Sequence, residues 1–333
     1  MFCPRLRHFV RLNQDGTIGK CGHMTGGEQF ANFEDLHKSK WLANVEKAME
    51  NNIWPSECSR CQTQESIKGE SIRTNSIARH KVLYPKQKDY LIVGGVLDNI
   101  CNSACQSCNS NLSTKIGSLE RKDYKKINNL DNFYTLPQDR ILELDVNGGE
   151  PTASPNYKKL LTGLPDSVRI VRMNTNGSRM IKEIEMLLEK GVMVIVTLSL
   201  DGVESVHDYV RWPIKWEHYT ETVDRYLEIR DKHSLLKLDF WTTVSALNIN
   251  NFADILEYAR AKNIPHDYAP LYRPGELDIR HKNFLTGNVT LEHPLMEKVG
   301  VGIDNDKALR QFIAKNDRLR GIDITDYLNL EPK

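Results

Sequence analysis

The strongest constraint on this 333-residue chain is an alternation of strand-like and helix-like segments from residue 88 to residue 275. The strand candidates are Tyr90–Leu97, Ile141–Val146, Val168–Met173, Val192–Leu200, Leu236–Val244 and His266–Tyr272. They are rich in β-branched residues and almost continuously apolar. Between them run helical patterns, including Met180–Lys190, Tyr219–Lys232 and Asn251–Lys262. Six such repeats imply an α/β fold with a parallel sheet buried on both faces. In sheets of this kind ligands bind at the carboxyl ends of the strands.

The polar motifs fall at those ends. Cys101–Cys108 follows the first strand and Asn147-Gly148-Gly149-Glu150-Pro151 the second. Asn174-Thr175-Asn176-Gly177 follows the third, and Ser199-Leu200-Asp201-Gly202 closes the fourth. Four independent motifs at one rim mark a functional site.

The cysteines sharpen this. Seven is an odd number, poorly suited to a full set of disulfides, and clustered thiols in a reducing compartment are more often metal ligands. They divide into a C-x3-C-x2-C run, Cys101, Cys105 and Cys108, and a set of four, Cys3, Cys21, Cys58 and Cys61. The longest apolar run, Val192–Leu200, is too short to span a bilayer, and the N-terminus lacks the apolar stretch of a secretion signal. A cytoplasmic protein without a membrane partner is expected. With 45 basic and 44 acidic residues, nucleic acid is not expected as the main partner either.

Cubane iron–sulfur clusters normally take four thiolates, so three in one short loop leave one iron open to a ligand. A zinc site borrowing a fourth ligand, or a reactive dithiol, is the plainer alternative. The stretch Cys101-Asn102-Ser103-Ala104-Cys105-Gln106-Ser107-Cys108 resembles the signature of the radical S-adenosylmethionine (SAM) superfamily. The resemblance covers residues 88 to 275 and implies a partial (β/α)6 TIM barrel. It implies a [4Fe–4S] cluster on Cys101, Cys105 and Cys108, with SAM chelating the fourth iron. One departure is Ser107, where the family usually carries an aromatic or bulky residue.

Asn147-Gly148-Gly149-Glu150-Pro151 resembles the family's glycine-glycine-glutamate-proline motif, which binds the SAM amino group. Glycines admit close approach of the backbone, and a carboxylate with carbonyls accepts from an ammonium. Ser199 and Asp201 sit where relatives bind the ribose, with Asn174 and Asn176 on the neighbouring strand end. Arg211 lies in a stretch that resembles the one whose arginine pairs with the SAM carboxylate. His207 reads as structural, and no side chain is assigned a direct catalytic role. The expected SAM contacts are therefore Gly148, Gly149, Glu150, Asn174, Ser199, Asp201 and Arg211.

Residues 1 to 75 read as a small, loop-rich cysteine module of α+β type. Phe9–Leu12, an Asp15-Gly16 turn and Thr17–Lys20 suggest a β-hairpin delivering Cys21, followed by one helix over Glu34–Asn51. A hairpin thiol plus the Cys58–Cys61 knuckle suits zinc or an iron–sulfur cluster. The order Cys3, hairpin, Cys21, Trp41, Trp54, Cys58, Cys61 resembles the SPASM and twitch auxiliary-cluster modules, which usually follow the radical SAM core instead of preceding it. An auxiliary [4Fe–4S] cluster is the implied occupant, with zinc as the alternative.

The resemblance implies an external electron donor such as a flavodoxin or ferredoxin, and a radical SAM oxidoreductase acting on a small molecule or a peptide or protein side chain. With the N-terminal space taken by the cysteine module, a leader-peptide-binding domain is not expected there. The competing readings are a nucleic-acid- or nucleotide-modifying enzyme and a non-enzymatic iron–sulfur or zinc electron carrier. The basic stretch Arg121, Lys122, Lys125, Lys126 reads as an exposed helix face. Residues 276–333 read as a polar, mostly helical extension, with Lys307–Lys315 its clearest amphipathic stretch.

Overall fold

The computed structural model describes residues 1–87, 89–121, 123–289 and 292–328. Lys122, one of the four basic residues singled out above, lies outside them, as does the end of the C-terminal extension. The strands are β1 (Phe9–Leu12), β2 (Ile18–Gly19), β3 (Leu91–Val96), β4 (Ile141–Asn147), β5 (Ile170–Thr175), β6 (Met193–Ser199), β7 (Leu236–Val244) and β8 (His266–Pro270). They form one mostly parallel sheet in the order β2-β1-β3-β4-β5-β6-β7-β8. From β3 to β8 each strand runs parallel to the next, and helices such as Trp216–Lys232 and Phe252–Ala261 lie between them in sequence. Among the described residues no helix is long and apolar enough to cross a membrane.

The expectation of a sheet buried on both faces is corrected. Along β7, Leu236, Leu238, Phe240, Thr242 and Val244 are buried while Lys237 and Trp241 are exposed, a strict two-residue alternation. The apolar face packs in the main core. The other face carries Asp145, Asn147, Arg172, Asn174, Thr197, Asp239 and Trp241, which line an open chamber of about 540 Å³.

The N-terminal hairpin is continuous with this sheet. β2 pairs antiparallel with β1, and β1 pairs parallel with β3. Two glycines in β3 admit it. A Cβ on Gly94 would stand 2.5 Å from the Phe9 ring, and one on Gly95, at φ +104°, 2.2 Å from the Leu12 carbonyl. Val10, Leu12, Ile18, Leu42 and Val45 join the same apolar core as Val93 and Leu144. Segment 1–75 is thus tied to residues 88–275 through one sheet and one core.

Three local expectations change. The helix read over Glu34–Asn51 is two, Phe33–Lys38 and Lys40–Glu50, because the Ser39 hydroxyl caps the second by accepting from Leu42 N at 3.1 Å. The region around the Cys58–Cys61 pair is helical, not loop-rich, with helices Ser59–Lys68 and Ile72–Leu83. The C-terminal extension holds one long helix, Asp306–Arg320, among short 3-10 turns, so it is less helical than expected.

Candidate functional site

Cys101, Cys105 and Cys108 lie on the loop after β3, at the carboxyl rim of the sheet. The Ser103 hydroxyl is 3.3 Å from Cys101 Sγ and 3.5 Å from Cys105 Sγ, which places both thiols around one group. Burial pushes the Cys108 thiol up to about 12, and neighbouring Cys105 adds to this. Burial and Cys105 likewise raise Cys101. Thiols crowded this way hold their protons unless a cation sits among them, and a coordinated metal reverses that preference.

The loop is fastened by its main chain. Ala104 N donates to the Trp212 carbonyl at 2.8 Å, and Gln106 N to the Val210 carbonyl at 2.9 Å. The Ser113 hydroxyl donates to the Ser103 carbonyl at 2.6 Å. From the far end of the chain, Arg320 Nε donates to the Ala104 carbonyl at 2.8 Å and Nη2 to the Cys105 carbonyl at 3.1 Å.

The glycine pair after β4 adopts positive φ, +89° at Gly148 and +58° at Gly149. A Cβ on Gly149 would lie 2.3 Å from the Ile100 carbonyl, on the segment leading to Cys101. These glycines therefore let the β4 turn close against the cysteine loop. Replacing Gly149 with alanine combines a left-handed backbone with a main-chain clash, an expected loss of about 2–5 kcal/mol. Chemical denaturation measures it, and a loss below about 1 kcal/mol contradicts the packing account.

Glu150 is 1% exposed. Its carboxylate accepts from the Thr175 hydroxyl at 2.7 Å, Asn176 N at 2.7 Å, Thr152 N at 3.1 Å and the Thr152 hydroxyl at 2.9 Å. Burial raises its pKa, and these donors pull it back. The side chain thus ties the β4 turn to the end of β5. The acceptor left over nearby is Asn147 Oδ1, which is buried without a hydrogen-bond partner.

Asp201, 2% exposed, accepts from Thr243 N at 2.7 Å and from Arg211 Nη1 at 3.0 Å. Burial opposes the charge on Arg211, but Cys105, Asp201 and Cys101 hold it and leave the pKa raised. Arg211 Nε is buried with no partner. Ser199 ends β6, half-buried, and Asn174 is exposed on β5 where it lines the chamber. Asn176 is buried and donates to Asn102 Oδ1 in the cysteine loop at 2.8 Å.

His207 packs its ring against Tyr219 and Trp216, with centroids 4.5 and 5.3 Å away. Burial depresses its pKa to about 3. The folded chain refuses a proton that the unfolded chain accepts near pH 6.5. Stability therefore falls as pH drops from 6.5 towards 3, by about 1.4 kcal/mol per pH unit from this site alone. His207→Phe should flatten the slope of denaturation free energy between pH 7 and 5; an unaltered slope would contradict this assignment.

The four remaining thiols also come together. Cys3, Cys21, Cys58 and Cys61 line one small cavity with His23, Trp54 and Arg73. Burial lifts Cys58 to about 12, with Cys3, Cys61 and Cys21 adding their repulsion. All seven cysteines are free thiols. Among the described residues, no three His, Cys, Asp or Glu side chains converge on the point a single metal ion would occupy.

Two residues of this site escaped the sequence reading. Asn147 stands inside a motif whose glutamate carries the more obvious chemistry. Arg320 left a fainter trace: the helix Asp306–Arg320 buries Leu309, Ile313, Asp317 and Arg320, so its inner face ends in two charged residues.

The residues fit a cluster with SAM on two counts. An unpartnered acceptor, Asn147 Oδ1, suits an ammonium, and an unpartnered cationic donor, Arg211 Nε, suits a carboxylate. The thiol-rich loop lies beside that arginine.

Parts of this sequence are similar to known proteins. The Bacillus subtilis (strain 168) antilisterial bacteriocin subtilosin biosynthesis protein AlbA is 31% identical over 118 residues, which are 34% of this chain and 25% of AlbA. GTP 3′,8-cyclase of Pasteurella multocida (strain Pm70) is 22% identical over 205 residues, 58% of this chain and 56% of the cyclase. The chain thus spans about a quarter to just over half the length of these relatives. The structure of Streptococcus suis SuiB bound to precursor peptide SuiA aligns at TM-score 0.43 and 14% identity, over 94% of this chain and 69% of SuiB. The radical SAM superfamily profile matches residues 97–259, from the approach to the cysteine loop through Arg211 to the helix after β7. Residues 97–259 of this chain form a radical SAM superfamily domain.

Proposed function

We propose that this protein binds a [4Fe–4S] cluster through Cys101, Cys105 and Cys108, cleaves SAM reductively, and oxidises or otherwise modifies a substrate held in the polar chamber. The observation that carries it is the pairing of the crowded thiols with the unpartnered, buried Nε of Arg211. Bound together, cluster and SAM would supply hydrogen abstraction by a 5′-deoxyadenosyl radical, and a second cluster held by the other four cysteines would supply an electron acceptor. The protein's own residues do the rest. Arg211, oriented by Asp201, takes the SAM carboxylate, and Asn147 Oδ1 with the main chain of Gly148 and Gly149 takes its amino group. Ser199 and Asn174 face the ribose side. Glu150 acts mainly as the tie that holds these turns in place.

Cys3, Cys21, Cys58 and Cys61 hold the auxiliary [4Fe–4S] cluster. In a cubane each thiolate binds a different iron, so the sulfurs surround a cavity without closing on one point. Iron and zinc are to be counted in the reconstituted wild type and in a variant with these four cysteines changed to alanine. About eight irons falling to about four supports the reading. Four irons with one zinc, or SAM cleavage still coupled to turnover in the variant, removes the electron-acceptor role.

The chamber favours a peptide, protein side chain or uncharged small molecule over a nucleoside triphosphate. It presents Asp145, Asp239 and Asp267 against one cation, Arg172, whose Nη1 lies 3.6 Å from Asp239. Trp241, 37% exposed, offers it an apolar surface. That lining repels a polyphosphate. The AlbA similarity points the same way. GTP binding to the SAM-loaded protein at micromolar concentration would favour the nucleotide reading instead.

A further inference from the structure

We propose that Arg320 is a positioning residue for the three-cysteine loop and the charge that raises the reduction potential of the cluster bound there. This rests on the reading above that the loop holds a redox-active cluster. Arg320 is 6% exposed and ends the helix Asp306–Arg320, 215 residues from Cys105. Its guanidinium is spent on main-chain and amide oxygens: Nε on the Ala104 carbonyl, Nη2 on the Cys105 carbonyl, and Nη1 on the Asn316 carbonyl at 3.0 Å and Asn316 Oδ1 at 2.8 Å. None of these acceptors is a carboxylate, so the charge is not neutralised by its hydrogen-bond partners. Arg211 differs, since its cation is paired with Asp201 at 3.0 Å.

The arginine is braced from behind. Asp317 accepts from the Tyr209 hydroxyl at 2.8 Å and from Ile324 N at 2.9 Å, which locks the helix to the segment bearing Arg211. Burial lowers the Arg320 pKa, while Cys105, Tyr209, Asp317 and Cys108 counter it. A cation that stays within electrostatic reach of two ligand sulfurs stabilises the more negative, reduced cluster. The couple is a one-electron one: the oxidised cluster takes one electron from an external donor, and no bond or proton is exchanged.

Full-length wild type and the Arg320→Gln, Arg320→Met and Arg320→Lys variants are to be reconstituted without oxygen. Each is titrated with dithionite, following the electron paramagnetic resonance signal that shifts when SAM is added. Gln and Met should lose about tenfold in the reduction equilibrium, a midpoint about 59 mV more negative for one electron. Lys, which keeps the charge and loses the fork, should return to the wild-type midpoint. If the Gln and Met proteins do not retain iron, Lys decides alone: a loaded cluster at the wild-type midpoint supports the proposal. A Lys variant that tracks Gln, fails to load, or a series with one common midpoint overturns it. A wild type with no SAM-sensitive signal would instead be a failure of the proposed function, visible before any variant is compared.

Discussion

Replacing any one of Cys101, Cys105 and Cys108 with alanine is expected to abolish SAM cleavage while leaving the fold intact. The separation of the two effects follows from how the loop is built. Its shape rests on main-chain bonds to Trp212 and Val210, on Ser113 and on Arg320, none of which uses a thiol. The thiols are therefore free to serve as ligands, and losing one removes an iron attachment without unfastening the loop. Iron should fall by about four per chain, the circular dichroism spectrum should match wild type, and 5′-deoxyadenosine should drop to background. A single-alanine variant that keeps its iron and its cleavage rate would place the cluster elsewhere.

The second large effect is expected at Glu150. Alanine there leaves the Thr175 hydroxyl, Asn176 N and both Thr152 donors without their acceptor in a buried site. The expected loss is about 3–5 kcal/mol, read from chemical denaturation of the protein before any SAM is added. Glu150→Gln keeps the shape but turns an amide donor towards those donors, so it should lose less, about 1–3 kcal/mol. If Glu150→Ala were as stable as wild type and only SAM affinity fell, the carboxylate would be a ligand contact and not the tie between β4 and β5.

How much of this was legible beforehand depends on which physical signal each part leaves. The strands β3 to β7 were readable because β-branched residues mark them, and Leu236–Val244 matches to the residue. That one sheet face would be polar was written in the same strands. Asp145, Arg172 and Asp239 sit between apolar neighbours, an alternation that the apolar residues around them mask. The hairpin was found from its Asp-Gly turn. Its docking beside β3 was not, because that depends on Gly94 and Gly95 meeting Phe9 and Leu12 across some eighty residues of sequence.

The helix Ile72–Leu83 left almost no periodic trace, since none of its residues is buried. Its start was nevertheless marked by Gly69 at a left-handed cap and Ser71 in a capping box with Thr74. At the site, the cysteine spacing and the two glycines carried chemistry that a sequence can display. The engagement of Glu150 by four donors, and the reach of Arg320 to the cysteine loop, are tertiary facts. They become visible only when β5 and the last long helix are folded into place.

The most direct test of the central claim is made on the full-length protein, reconstituted without oxygen and reduced with dithionite in the presence of SAM. The account predicts an iron–sulfur signal that shifts on SAM binding and 5′-deoxyadenosine that accumulates with time. An intact cluster that neither shifts with SAM nor binds it would contradict the account.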